Sequence, residues 1–150
     1  MDRVTIKRPV IWKAIVTAKL KEQLAQEVNQ AIRRIDMELQ QLEFQAKRVL
    51  PDLEKQNLKQ AMDVRRQFEA EKRRRRDVRE RLRQQAEEVE RLQLGDVIHR
   101  ATLESYVEVG IGDNLEEALA VEVITRDGQV TEIRQAGLQD VPSDGPRLSV

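Results

Sequence analysis

Cysteine is absent from this chain of 150 residues, and with it go structural disulfides, thiolate metal sites and cysteine nucleophiles. That absence suits a reducing compartment, and the expectation is a cytoplasmic protein. Aromatic residues are scarce as well: one Trp, one Tyr and two Phe, too few to anchor one large core. Long apolar runs are missing. The first twenty residues scatter Arg3, Lys7, Arg8, Lys13 and Lys19 among apolar positions, so neither a secretion leader nor a membrane span is expected. The single histidine, His99, has no H-x-x-x-H or C-x-x-C companion, so no metal and no cofactor is expected. Ser105 and Tyr106 lack a G-x-S-x-G elbow, and "VGIGDN" lacks the G-x-x-x-x-G-K phosphate loop. No catalytic residue stands out, and the chain does not read as an enzyme.

What is abundant is charge, at 36% of residues, balanced to zero overall but not along the chain. Residues 64 to 83 hold ten basic and four acidic side chains, and the acidic excess lies C-terminal to them. The apolar residues Val28, Ile32, Ile35, Leu39, Leu42, Ala46 and Val49 alternate steps of four and three, which is the seam of a coiled-coil helix. A second seam runs through Ala61, Val64, Phe68, Val78, Leu82, Val89 and Leu92, with Glu71, Arg75 and Gln85 at its remaining heptad positions. Pro51 disfavours helical geometry at Leu50 and suits the first turn of a new helix, so the turn between the helices is expected near Pro51. Thr17 is placed to cap the first helix and Gly95 to terminate the second.

Outside the helices, "VTIKRPVIWKAIV" is rich in β-branched residues, with Pro9 limiting it to an edge strand or a broken one. "SYVEVGI", "AVEVIT" and "VTEIR" alternate as half-buried strands, the last two around the hairpin signal Asp127-Gly128. In "GDNLEEAL", Asp113 and Glu116 are spaced as a capping box. The expected fold is α+β: a long antiparallel helical hairpin, a coiled coil over 17–94, projecting from a small antiparallel β unit formed by strands in 1–16 and 95–136. Residues 137–150 read as a flexible tail, and a homodimer is expected.

Two surfaces are candidates for function. Lys72, Arg76, Arg79 and Arg83 form one stripe about 16 Å long at the helical rise; Arg74 and Arg81 sit on the other flank, seven apart, and Arg73 is a further candidate within "EKRRRRDVRERLRQQ". With the turn at 51, Arg75 would face Glu27 and Arg79 would face Glu22. The arginines read either as the solvated flank of a coiled coil, or as contacts to an RNA backbone, or as a dock for an acidic protein surface. Interleaved aromatics, which would stack single-stranded bases, are absent. The second surface is an apolar patch at the hairpin tip, Met37, Phe44, Leu50 and Leu53, which reads either as local packing around the turn or as the partner surface of a prefoldin-like chaperone or assembly adaptor.

"VTIKRPVIWKAIVT", "QQLEFQAKRVLPDLEKQN" and "VEVGIGDNLEEALAVEVITRDGQVTEIR", taken in that order, resemble the YlqD family of bacterial proteins, its cyanobacterial members in particular. The resemblance spans residues 4 to 134. That family has no assigned biochemical function, so the resemblance implies no catalytic residue, and the basic run Lys72 to Arg76 matches no motif of it.

Overall fold

A computed structural model of the chain describes residues 1–142. Its elements run β1 (Arg3–Ile15), α1 (Ala18–Gln56), α2 (Leu58–Arg91), β2 (Val97–Gly110), α3 (Leu115–Ala118), β3 (Ala120–Arg126), β4 (Gln129–Ala136) and a 3-10 turn at Leu138–Asp140. The fold is α+β, as the periodicities indicate. It divides into a β unit, residues 1–24 with 91–142, and a helical unit, residues 25–90.

The helical unit is an antiparallel hairpin. Arg65 pairs with Glu54, Arg75 with Glu38 at 3.1 Å and Arg79 with Asp36 at 2.8 Å. Each pair is centred within three residues of Asn57. The turn is therefore at Asn57, not near Pro51, which lies inside α1. Asn57 explains the displacement. Its N–H donates to the Leu53 carbonyl at 2.8 Å, extending α1, while its carbonyl and its side-chain oxygen accept from Ala61 N and Gln60 N at 3.0 and 3.2 Å. One residue closes one helix and caps the next. The seam positions are buried or half-buried, Val28, Ala46, Ala61 and Val89 most completely, except Val49, which is exposed while Leu50 and Leu53 take the inward side.

In the β unit the strand order is β2-β1-β3-β4. β1 pairs antiparallel with β2, β3 antiparallel with β4, and β1 parallel with β3. The sheet is thus mixed rather than antiparallel throughout. β2 returns antiparallel to β1, the chain turns through α3, and β3 is laid on the far side of β1, where it must run in β1's own direction. Pro9 is not on an edge strand either. It lies opposite Glu104 of β2, one residue before β3 begins to pair at Val10, so its missing N–H is placed where the second neighbour has not yet started. Thr17 caps α1, its hydroxyl oxygen accepting from Leu20 N at 3.1 Å, and Gly95 takes a positive φ of 94°. Asp127 and Gly128, both at positive φ, make the tight β3–β4 turn. In α3 the cap is Asn114 rather than Asp113, whose carboxylate accepts from Gly110 N instead.

Strand register sorts the side chains into two unlike faces. Val4 and Ile6 sit beside Val109 and Val107, Val10 between Leu103 and Val121, and Val123 beside Ile133 on one face. The opposite face carries the Lys7–Glu104 and Lys13–Glu122 ion pairs, at 2.8 and 2.9 Å, around a core of Ile11, Ala120 and Ala136. Val141 packs against that core. Residues 137–142 therefore include a 3-10 turn and an ordered contact where a flexible tail was expected; the rest of that tail, 143–150, lies outside the described residues.

Candidate nucleic-acid interface

Helix α2 positions the arginine run by its heptad register. Val64, Phe68, Val78 and Leu82 take the seam together with the long polar residues Glu71, Arg75 and Gln85, all of them half-buried. Arg75 can occupy an inward position because its guanidinium donates to Glu71 at 2.6 Å and Glu38 at 3.1 Å while its alkyl stem lies along the seam. The Glu71 hydrogen bond, above all, and Glu38 hold its pKa above the ordinary arginine value, against the opposing effect of burial.

The turn at Asn57 changes the partners expected for the run. Arg75 meets Glu38, not Glu27, and Arg79 meets Asp36, not Glu22. Moving the turn by six residues shifts the facing helix by about twelve, more than one and a half heptads. Three of the six candidate residues are engaged within the hairpin, one across it and two within α2 itself. Arg79 pairs with Asp36, Arg74 with Glu71 at 2.9 Å, and Lys72 with Glu69 at 3.6 Å, its side chain only 13% exposed. The other three, Arg73, Arg76 and Arg83, are exposed and have no carboxylate partner among the described residues. Arg81, outside the original stripe, shares that condition. Arg76 and Arg83 are one heptad apart, about 10 Å along the same flank. Asp77 and Glu80 are exposed in the same turns, so the surface is positive in sum rather than uniformly.

The four apolar candidates do not come together. Leu50 and Leu53 are half-buried toward the seam. Met37 and Phe44 lie one heptad apart, each 66% exposed, on the side of α1 opposite its seam. Phe44 is thirteen residues, about 20 Å, from Asn57, so it does not belong to the tip. The exposed apolar residues nearest the turn are Leu58 and Met62, which a turn at 51 would have placed further along the second helix. Among the described residues no group of three His, Asp or Glu side chains gathers as metal ligands, and the His99 ring nitrogen lies 3.1 Å from the Thr102 hydroxyl. Among the described residues no helix is long and apolar enough to cross a membrane.

Comparison with known proteins adds kinship without an activity. The family model described as YlqD protein matches residues 4–134. A crystal structure of a protein of unknown function from Synechococcus sp. WH 8102 is similar at 28% identity and a TM-score of 0.74, covering 89% of this chain and 95% of that one. No curated protein matches.

Proposed function

The chain belongs to the YlqD family, and from that starting point we propose that it is a non-enzymatic binding protein whose helical hairpin contacts the phosphate backbone of RNA. The observation that supports this reading is an unneutralised middle of the hairpin. Residues 64–83 of α2 carry ten basic and four acidic side chains, and the α1 residues that face them, 31–51, carry four basic and three acidic. A coiled coil that balanced its own flanks would place a carboxylate excess on the facing helix. Here the facing helix adds to the positive charge. Arg73, Arg76, Arg81 and Arg83 are the residues left to meet an external anion, and a guanidinium fork suits phosphate oxygens. Without interleaved aromatics the contact reads backbone charge and not base identity.

The test is a fluorescence-anisotropy titration of the full chain against a single-stranded RNA and an RNA hairpin at about 0.05 and about 0.2 M salt. Four phosphate contacts on a single strand predict roughly 50-fold weaker binding over that fourfold change in salt. Substituting Arg73, Arg76 and Arg83 by Glu is expected to abolish binding, whereas Arg79→Gln, which removes an arginine already paired with Asp36, leaves it within a few-fold. Binding that ignores salt, or that survives the triple substitution, refutes the proposal. An interaction with a protein lost on Met37→Ser and Phe44→Ser, with RNA not bound, would favour the adaptor reading instead.

A further inference from the structure

Among the described residues the β unit leaves most of the apolar face of its sheet open; only the Trp12 end, with buried Ala14 and Thr125, lies against Lys19, Leu20 and Gln23 at the start of α1. On the charged face Ile11 is 1% exposed and packs with Ala120, Ala136 and Val141. On the opposite face Val4, Leu103 and Ile133 are 50%, 50% and 67% exposed, and the valines between them are only half-buried. An amphipathic sheet normally places its apolar side against a second layer. Residues 143–150 contain only Leu148 and Val150 as large aliphatic side chains, too few to provide that layer. Three atoms within the face are also buried without hydrogen-bond partners among the described residues, Arg8 Nε, Ser105 Oγ and Arg100 Nη1, the first two on side-by-side residues of β1 and β2.

We propose that this face is a homodimer interface, closed by the same face of a second copy. Size, charge and geometry select that occupant. With strands about 4.8 Å apart and about 3.3 Å per residue, the face covers about 500 Å² in plan. Side-chain relief and a polar rim bring that toward the roughly 800 Å² per partner of a standard interface. The face carries two charges, both engaged within their own copy: the Arg8 guanidinium is drawn sideways to the Ala118 carbonyl at 3.4 Å, and the Arg100 guanidinium lies over the Trp12 ring, 5.7 Å from its centroid. It therefore requires no partner of opposite sign and is complementary to itself, as a two-fold interface demands. Two such sheets stack with strand directions about 30° apart, which turns each single layer into half of a sandwich. The proposal is independent of the RNA reading, because its residues lie on β1 to β4 and the arginines on α2.

Sedimentation of the full chain between about 1 and 100 µM is the experiment. The expected result is a species of twice 17.4 kDa. The double substitution Leu103→Glu, Ile133→Glu, at two exposed positions, should return it to the monomer mass with unchanged far-UV circular dichroism. Tyr106→Glu, exposed on the opposite face, should leave the dimer intact. Trp12, the only tryptophan, lies on the proposed interface face beside Ala101 and Val123, so its emission should shift to the red as the wild-type dimer is diluted, whether or not the double variant folds. A monomer at 100 µM, a dimer that survives the double substitution in a folded chain, a dimer broken by Tyr106→Glu, or dissociation without any change in Trp12 emission each overturns the proposal.

Discussion

Replacing Pro51 by alanine should stabilise the protein, because Pro51 is inside α1 and not at its end. A proline in a helix interior lacks the N–H that would bond to the carbonyl four residues earlier, here Lys47, and its ring crowds that carbonyl, at a cost of about 3 kcal/mol. Proline also restricts the unfolded chain, and removing it returns about 0.4 to 1 kcal/mol of entropy to the unfolded state. The difference is a net stabilisation of about 2 kcal/mol. Urea denaturation followed at 222 nm reports α1 and α2, and Trp12 emission in the same samples reports the β unit, so the gain can be assigned to the helical unit. An increase in midpoint with an unchanged slope is expected. If Pro51 instead began the second helix, the substitution would remove a residue suited to that position, and stability would be unchanged or lower. Either of those results refutes a turn at Asn57.

Asn57→Ala removes the side-chain oxygen that accepts from Gln60 N and should cost about 1 kcal/mol of helical-unit stability, measured by the same denaturation; Asn57→Asp should cost little. In β4, Glu132 has its pKa lowered, chiefly by a hydrogen bond from Arg134 and despite some desolvation. Its folded value lies below its unfolded one, so the stabilisation is complete above the ordinary glutamate pKa and declines as pH falls through the depressed value. A carboxyl titration by NMR should find Glu132 below the ordinary glutamate value, and Arg134→Gln should restore it.

The two seams and the strand pattern were legible because they depend on side chains within a few residues of one another. Val28 to Val49 and Ala61 to Val89 follow the heptad step, and Asp127-Gly128 states its own turn. The turn between the helices was misplaced because a strong local rule for Pro51 competed with a weaker but cooperative one at Asn57, which ends one helix and caps the next. That single displacement then assigned the wrong partners to Arg75 and Arg79 and placed Phe44 at a tip it does not reach. The parallel β1–β3 pairing was illegible for a different reason. Alternation tells which side chains share a face, while the order of strands is decided by where α3 delivers the chain. The arginine run was legible as a basic stripe, but which of its members are engaged within the hairpin required the register of the facing helix.

β1 sits between β2 and β3, and about 80 residues separate its end from the start of its first partner. During synthesis at 5 to 20 residues per second, a strand made first waits roughly 4 to 16 s before its neighbours exist. Helices form within microseconds of leaving the ribosome, so the hairpin can be complete while β1 is still unpaired. For those seconds Val4, Ile6 and Val10 belong to an unprotected apolar strand, and Lys7, Arg8 and Pro9 in their midst are the residues that discourage it from pairing with another chain.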